Sequence, residues 1–249
     1  MTILLTVITV NKNNAVGLEN TLRTALPKQK MQELQYIVVD GNSNDGSIET
    51  IKSNRDKLDK FIIEDDLGVF HAMNKGLEAA KGEYILFLNS GDTLVRCLNS
   101  LLDIVRNDPS IDVFYSDVAI KPNRKIEINY NRMLLMHHCL NHQNMIVKRK
   151  FLKSGYNLNY RFSADVKWQI DFLHNLKLKK LSEPIAYFEL DGLSSNKRRD
   201  VVEKIWRERW LAHYTTSNDA KTFRLVALLV TSLIYIVKVL MPKFLSRAR

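Results

Sequence analysis

Tyr84-Ile85-Leu86-Phe87-Leu88-Asn89-Ser90-Gly91-Asp92 is an apolar run that ends abruptly in a polar, glycine-containing turn. The pattern is that of a buried strand followed by a loop. An acid just past such a strand, on a loosened turn, is placed to hold a divalent cation that bridges two phosphates. Asp92 has a simpler alternative, that of a polar turn residue capping the next helix. The segments on either side weigh between the two.

Upstream, Ile3–Val10, Tyr36–Asp40 and Phe61–Glu64 read as further buried strands, and Tyr84–Asn89 as a fourth. Val16–Ala25, Asp45–Ser53 and Val69–Ala80 read as the helices between them. This alternation predicts an α/β fold, a Rossmann-like, mostly parallel sheet with helices on both faces. Ligands of open parallel sheets bind beyond the carboxyl ends of the strands. Thr9 and Asn11, Asp40, Asp65 and Asp66, and Asn89 to Asp92 all fall there. Downstream, Asp112–Ile120, Lys125–Tyr130 and Ile185–Leu190 look like strands and Ser163–Asn175 like an amphipathic helix.

The chain has 249 residues and a formal net charge of +10, with 45% hydrophobic content, enough for one sizeable core. From Lys197 onward there are 12 Lys and Arg against 4 Asp and Glu, so the segment carries +8 and the rest only +2. A near-neutral body with a basic, apolar tail points to an anionic membrane surface and away from nucleic acid. Residues 1–195 are therefore expected to form a catalytic domain and residues 196–249 a basic and apolar helical tail. Leu225 to Val237 is uncharged over 13 residues. As a helix it would extend ~20 Å, against ~30 Å of hydrocarbon, so docking without spanning is expected. Trp206 and Trp210, beside Arg207 and Arg209, suit a headgroup region. The same tail could instead pack on the core or between subunits of a homo-oligomer. Cys97 and Cys139 form no metal or disulfide spacing, and Met1 to Val10 lacks a secretory organisation. A cytoplasmic protein, peripheral on the inner face of the membrane, is expected.

Four blocks carry a resemblance. They are Val38-Val39-Asp40-Gly41-Asn42-Ser43-Asn44-Asp45-Gly46-Ser47, Asp66-Leu67-Gly68-Val69-Phe70-His71-Ala72-Met73-Asn74-Lys75-Gly76, Ala80-Lys81-Gly82-Glu83-Tyr84 and Leu88-Asn89-Ser90-Gly91-Asp92. In order and spacing they resemble glycosyltransferase family 2, and the likeness continues loosely through His142-Gln143, Ser163-Ala164-Asp165 and Gly192-Leu193-Ser194. The resemblance implies a GT-A fold. It implies a metal-dependent, inverting hexosyltransferase that moves a sugar from a nucleotide-diphosphate donor, in the first instance a UDP-sugar. The acceptor it implies is a lipid-linked saccharide in bacterial surface polysaccharide synthesis. It assigns Thr9, Asn11, Asp40 and Asp66 to the nucleoside, and Gly68, Asn74, Lys75, Asn89 and Ser90 to the donor with Asp92. Asp92 also receives Mn²⁺ or Mg²⁺, His142 and His71 the acceptor or a phosphate, and Asp165 the role of catalytic base. Two positions depart from the family pattern. Ser90 stands where the family's D-x-D motif has its first acid, and His71 where relatives carry Asp. These departures motivate one alternative, a catalytically impaired nucleotide-sugar-binding membrane scaffold. A nucleotidylyltransferase is the other, although Asn11-Lys12-Asn13-Asn14 lacks the Gly-rich basic loop of that class.

Overall fold

The computed structural model describes residues 2–27, 29–120, 124–128, 139–189, 199–215, 229, 232 and 233. The chain forms two compact units. The first comprises residues 1–128, 140–156 and 176–189; the second joins residues 129–139 and 157–175 to 190–249.

The first unit is built on β1 (Leu5–Asn11), α1 (Ala15–Ala25), β2 (Leu34–Asp40), α2 (Ser47–Ser53), β3 (Lys60–Ile63), α3 (Val69–Ala79) and β4 (Tyr84–Phe87), close to the predicted succession. After β4 come β5 (Thr93–Leu94), α4 (Leu98–Asn107), β6 (Val113–Tyr115), β7 (Val118–Ile120), β8 (Arg124–Ile126), β9 (Met145–Lys148), β10 (Leu178–Lys180) and β11 (Ala186–Phe188). A seven-stranded sheet runs in the order β10-β6-β9-β4-β1-β2-β3. Its pairings are parallel except where β9 lies antiparallel between β4 and β6. A second sheet, β5-β11-β7-β8, was not anticipated.

Side-chain alternation along the strands explains the layers. Leu5 and Val7 of β1, Tyr36 and Val38 of β2 and Leu86 of β4 cluster with Leu18 and Leu22 of α1 and with Leu101, Leu102 and Val105 of α4. The intervening residues face α3. A Cβ on Gly76 would stand 2.5 Å from Cγ2 of Ile8 and 3.5 Å from Cγ2 of Val39, so the missing side chain lets α3 lie directly on that face. Val10, Ile37, Ile85 and Phe87 complete the buried alternate rows.

The stretch expected as one strand over Asp112–Ile120 is two. β6 belongs to the large sheet and β7 to the small one, with the chain breaking at Ser116 and Asp117. The break is fixed by hydrogen bonds: Ser116 Oγ and Asn144 Oδ1 both accept from the N–H of Ile185, at 3.0 Å each. Asp117 Oδ1 accepts from Ile128 N–H at 2.9 Å, and its carboxylate pairs with Lys180 and Lys125. Burial alone would raise the Asp117 pKa, but these partners hold it at about 2.

In the second unit, α5 (Ala164–Phe172) and α6 (Arg199–Tyr214) pack together. Glu208 of α6 caps the approach to α5, its carboxylate accepting from the backbone N–H groups of Arg161, Phe162 and Ser163 at 2.7–3.0 Å. Trp206, expected in a headgroup layer, is instead only 6% exposed, and the Arg209 guanidinium stands 5.3 Å from its ring. Trp210 donates to Ser232 Oγ at 3.2 Å. Most of Leu225–Val237 lies outside the described residues; of those described, Leu229 and Leu233 are each 62% exposed. Among the described residues no helix is long and apolar enough to cross a membrane.

Candidate active site

Strand register assembles the carboxyl edge of the sheet. Asn11, the last residue of β1, pairs in register with Asp40, the last of β2. Beyond β4 the chain continues along β1, with Leu88 N–H donating to Ile8 O at 2.9 Å and Ser90 N–H to Val10 O at 3.1 Å. Asn11, Asp40 and the Asn89–Asp92 turn therefore meet at one edge, as the alternation predicts.

Asp40 is fully buried. Its Oδ2 accepts from Asn11 Nδ2 at 2.6 Å and Ser43 Oγ at 2.9 Å, and its Oδ1 from Ser43 N–H at 2.7 Å. Three donors fill all but one of a carboxylate's roughly four acceptor positions. Asp40 thus closes an Asx turn and aims Asn11, whose Oδ1 is buried with no hydrogen bond. Thr9 shares a 2.8 Å hydrogen bond with the hydroxyl of Tyr36, a phenol whose burial carries its pKa well above the ordinary value.

The loop after β3 folds over this edge. Asp66 Oδ1 accepts from Gly68 N–H at 2.8 Å, and its Oδ2 fills the space that a Cβ on Gly41 would take, 2.3 Å away. Gly68, at φ +121°, turns the chain into α3 and supplies the carbonyl that accepts from His71 and Ala72. His71 Nδ1 accepts from Leu67 N–H at 3.0 Å, a local capping role at the helix entry. Asn74 is occupied within the unit, its amide exchanging two hydrogen bonds with the backbone of Tyr156 at 2.7 and 2.9 Å. Lys75 reaches Glu64 at 2.9 Å and the carbonyl of Asp65 at 2.6 Å.

Asp92 is the chemical centre of the turn. Only 2% exposed, it accepts from the N–H of Glu189 at 2.9 Å through Oδ1, while Oδ2 is buried without a hydrogen bond. Burial lifts its pKa from 3.8 to about 6, a rise that the Glu189 N–H, His142 and the Gln143 amide only partly offset. Asn89 pairs through Nδ2 with His142 Nε2 at 3.1 Å, and its own Oδ1 is buried and unpartnered. His142 stands edge-on to the ring of Phe87. Two contributors, Thr21 and Glu189, have no counterpart in the sequence reading, and Gln143 enters it only within the His142-Gln143 likeness. Thr21 of α1 accepts from Gly91 N–H at 2.9 Å and lies 2.7 Å from the carbonyl of Asp92, pinning the turn. Gln143 and Glu189 border the Asp92 carboxyl.

A divalent cation fits this donor set in one respect: an acceptor-only oxygen is buried with nothing to donate to it. Hard cations of this size are commonly held by one or two carboxylates completed by substrate phosphates and water. Among the described residues no group of three or more His, Cys, Asp or Glu side chains could hold a metal unaided.

Asp165 lies in the second unit, in the first turn of α5, where a negative charge favours the helix dipole. Its Oδ1 accepts from Val166 N–H at 2.9 Å.

Comparison with known proteins agrees with this architecture. A PGL/p-HBAD biosynthesis glycosyltransferase of Mycobacterium tuberculosis is 26% identical over 200 residues, covering 74% of this chain and 75% of its own. TarS of S. aureus superposes with a TM-score of 0.69 at 15% identity, over 94% of this chain and 73% of its own, and has also been solved with UDP-GlcNAc. A mannosyltransferase of Pyrobaculum calidifontis, in complex with GDP-Man and Mn²⁺, gives a TM-score of 0.61 at 15% identity over 94% and 74%. Residues 6–165, more than half of the chain and spanning every block of the carboxyl edge, match the profile of glycosyl transferase family 2, and the chain belongs to that family.

Proposed function

We propose that the protein is an inverting, divalent-metal-dependent glycosyltransferase that uses a nucleotide-diphosphate sugar in the assembly of a bacterial surface glycan. The observation that carries this reading is Asp92: a buried carboxyl with an unpartnered oxygen, at the carboxyl edge of a parallel sheet, in a chain of family 2. Solved structures of the same fold support a nucleotide sugar, TarS in complex with UDP-GlcNAc and the mannosyltransferase of Pyrobaculum calidifontis in complex with GDP-Man. The relative from Mycobacterium tuberculosis is a glycosyltransferase of PGL/p-HBAD biosynthesis by its name, which supports a role in building a larger glycosylated product.

In this reading Asn11, Thr9, Asp40 and Asp66 form the nucleoside end, with Gly68, Asn74 and Lys75 shaping its wall and Asn89, Ser90 and Asp92 the diphosphate end. His142 and His71 serve the acceptor side. The acceptor hydroxyl oxygen bonds to the anomeric carbon while the bond from that carbon to the diphosphate oxygen breaks, its electron pair leaving with the phosphate. Asp165 takes the hydroxyl proton, so a single displacement inverts the anomeric centre. Asp92 would hold the divalent cation, whose charge would offset that of the leaving diphosphate.

Residues 1–195 supply the catalytic domain and residues 196–249 dock it on an anionic membrane from the cytoplasmic side. The exposed Leu229 and Leu233, one helical turn apart, support an apolar docking face. A thermal-shift panel of nucleotide sugars, followed by donor hydrolysis with Mn²⁺ or Mg²⁺, tests the reading. A specific ligand raises the midpoint by mass action. Absence of any stabilising nucleotide sugar, or of metal-dependent release of free nucleotide, refutes it.

A further inference from the structure

The family pattern places an acid at the position of Ser90, and this chain has none there. The small sheet brings another one to the same place. β11 runs antiparallel to β5 with Tyr187 opposite Thr93, and continuing that register sets Glu189 opposite Gly91. The N–H of Glu189 donates to Asp92 Oδ1 at 2.9 Å, locking the two segments together. Its carboxylate folds back over the turn: a Cβ on Gly91 would stand 1.7 Å from Glu189 Oε2 and 2.9 Å from its Cδ. Gly91, at φ +101°, is thus doubly required, by its backbone conformation and by the carboxylate that occupies the space of a side chain.

We propose that Glu189 is the second carboxylate of the diphosphate-cation site, replacing the acid absent at Ser90; this rests on the reading of the chain as a metal-dependent glycosyltransferase. Two features point to a cation. The adjacent Asp92 Oδ2 is an acceptor buried without a donor, and a second carboxylate beside it adds repulsion that a shared cation removes. Glu189 is exposed, so it can meet a diphosphate entering from solvent, and among the described residues no cation pairs with it. Two carboxylates and diphosphate oxygens make an oxygen-rich set suited to Mn²⁺ or Mg²⁺. Because these two are the charged ligands offered at this turn by the described residues, the cation and the diphosphate bind together, and neither carboxylate holds the cation tightly alone.

The test is Mn²⁺ titration of the full chain by electron paramagnetic resonance, with Mn²⁺ alone and with UDP or GDP in separate arms. Wild type should bind Mn²⁺ tightly only with one of the nucleotides. Glu189→Gln should weaken that binding about 10-fold or more, with an unchanged circular dichroism spectrum, since the side chain is exposed. Glu183→Gln, which removes an exposed acid paired with Arg96, should leave it unchanged. Adding Ser90→Asp to Glu189→Gln should restore it by returning an acid to the neighbouring position. Equal Mn²⁺ affinity in wild type and Glu189→Gln overturns the role of Glu189 while leaving the proposed activity in place. Nucleotide binding by wild type with no Mn²⁺ uptake overturns both this role and the metal dependence of the reaction.

Discussion

Replacing Asp92 with Asn should make the protein more stable at neutral pH while removing its activity. The native carboxyl has a pKa of about 6, against 3.8 when unburied, because folding strips it of water. Well below pH 3.8 it is protonated in both folded and unfolded chains, and its titration contributes nothing. As pH rises through the interval, the unfolded chain releases the proton more readily than the folded one, and stability falls. Above pH 6 the penalty is complete: a shift of about two units corresponds to ~3 kcal/mol. An amide of nearly the same shape is never charged. Its oxygen can still accept from Glu189 N–H. Urea unfolding across pH 4 to 8 measures the gap, which should open toward ~3 kcal/mol at pH 8 and narrow toward pH 4. In a thermal scan each kcal/mol corresponds to roughly 2–4 °C for a chain of this size. Mn²⁺ with a bound nucleoside diphosphate should narrow the gap by stabilising only the carboxylate form. Equal stability at pH 8, or a gap that widens on acidification, would refute the claim that this acid is held against its solvation preference.

Asp165→Asn should lower sugar transfer by orders of magnitude while donor affinity, read by thermal shift, stays within a few fold; near-normal turnover, or a product of retained anomeric configuration by NMR, would exclude Asp165 as the base of a single displacement. Removing residues 216–249 should release the protein from anionic liposomes in a sedimentation assay yet preserve metal-dependent donor hydrolysis, and continued pelleting of the shortened chain would rule out tail-borne docking. Gly82→Ala should destabilise by roughly 1–3 kcal/mol or more in urea unfolding, since the new Cβ would lie 2.6 Å from both the backbone nitrogen and Oγ1 of Thr6; unchanged stability would mean that β1 yields easily there.

The first half of the fold could be read from residues because β1, β2 and β4 are short apolar runs buried on both faces and its helices carry one apolar stripe, whereas β3, expected as a buried strand, is an edge strand with Phe61 42% exposed. Helix α4 carries the same signal in Leu98, Leu101, Leu102 and Val105, spaced as one buried face. β10 was not legible at all: Leu178-Lys179-Lys180 is a polar edge strand, specified by its pairing with β6 and not by its own hydrophobicity. The break between β6 and β7 depends on Asn144 and Ile185, both distant in sequence. The acidic and amide residues of the carboxyl edge were found because strand ends can be located from strands. Thr21 and Glu189 were missed because each reaches the Asp92 turn through a tertiary contact that leaves no local pattern. Trp206 was misplaced for the same reason, since an aromatic residue among arginines reads alike in a core and at a headgroup layer.

The bond set of Glu208 bears on how the chain can be divided. Three backbone donors leading into α5, the helix that begins at Asp165, are satisfied by a carboxylate belonging to the basic C-terminal segment. A fragment ending at residue 195 would therefore leave those amides without their acceptor and loosen the placement of the residue proposed to take the proton. The shortest self-sufficient enzyme reaches at least to Thr215, whose hydroxyl also bonds that of Tyr160 at 2.9 Å. A tail exchanged with another family member must bring its own acid to this point, so the segment proposed to dock and the carboxylate proposed as base can be exchanged only as one piece.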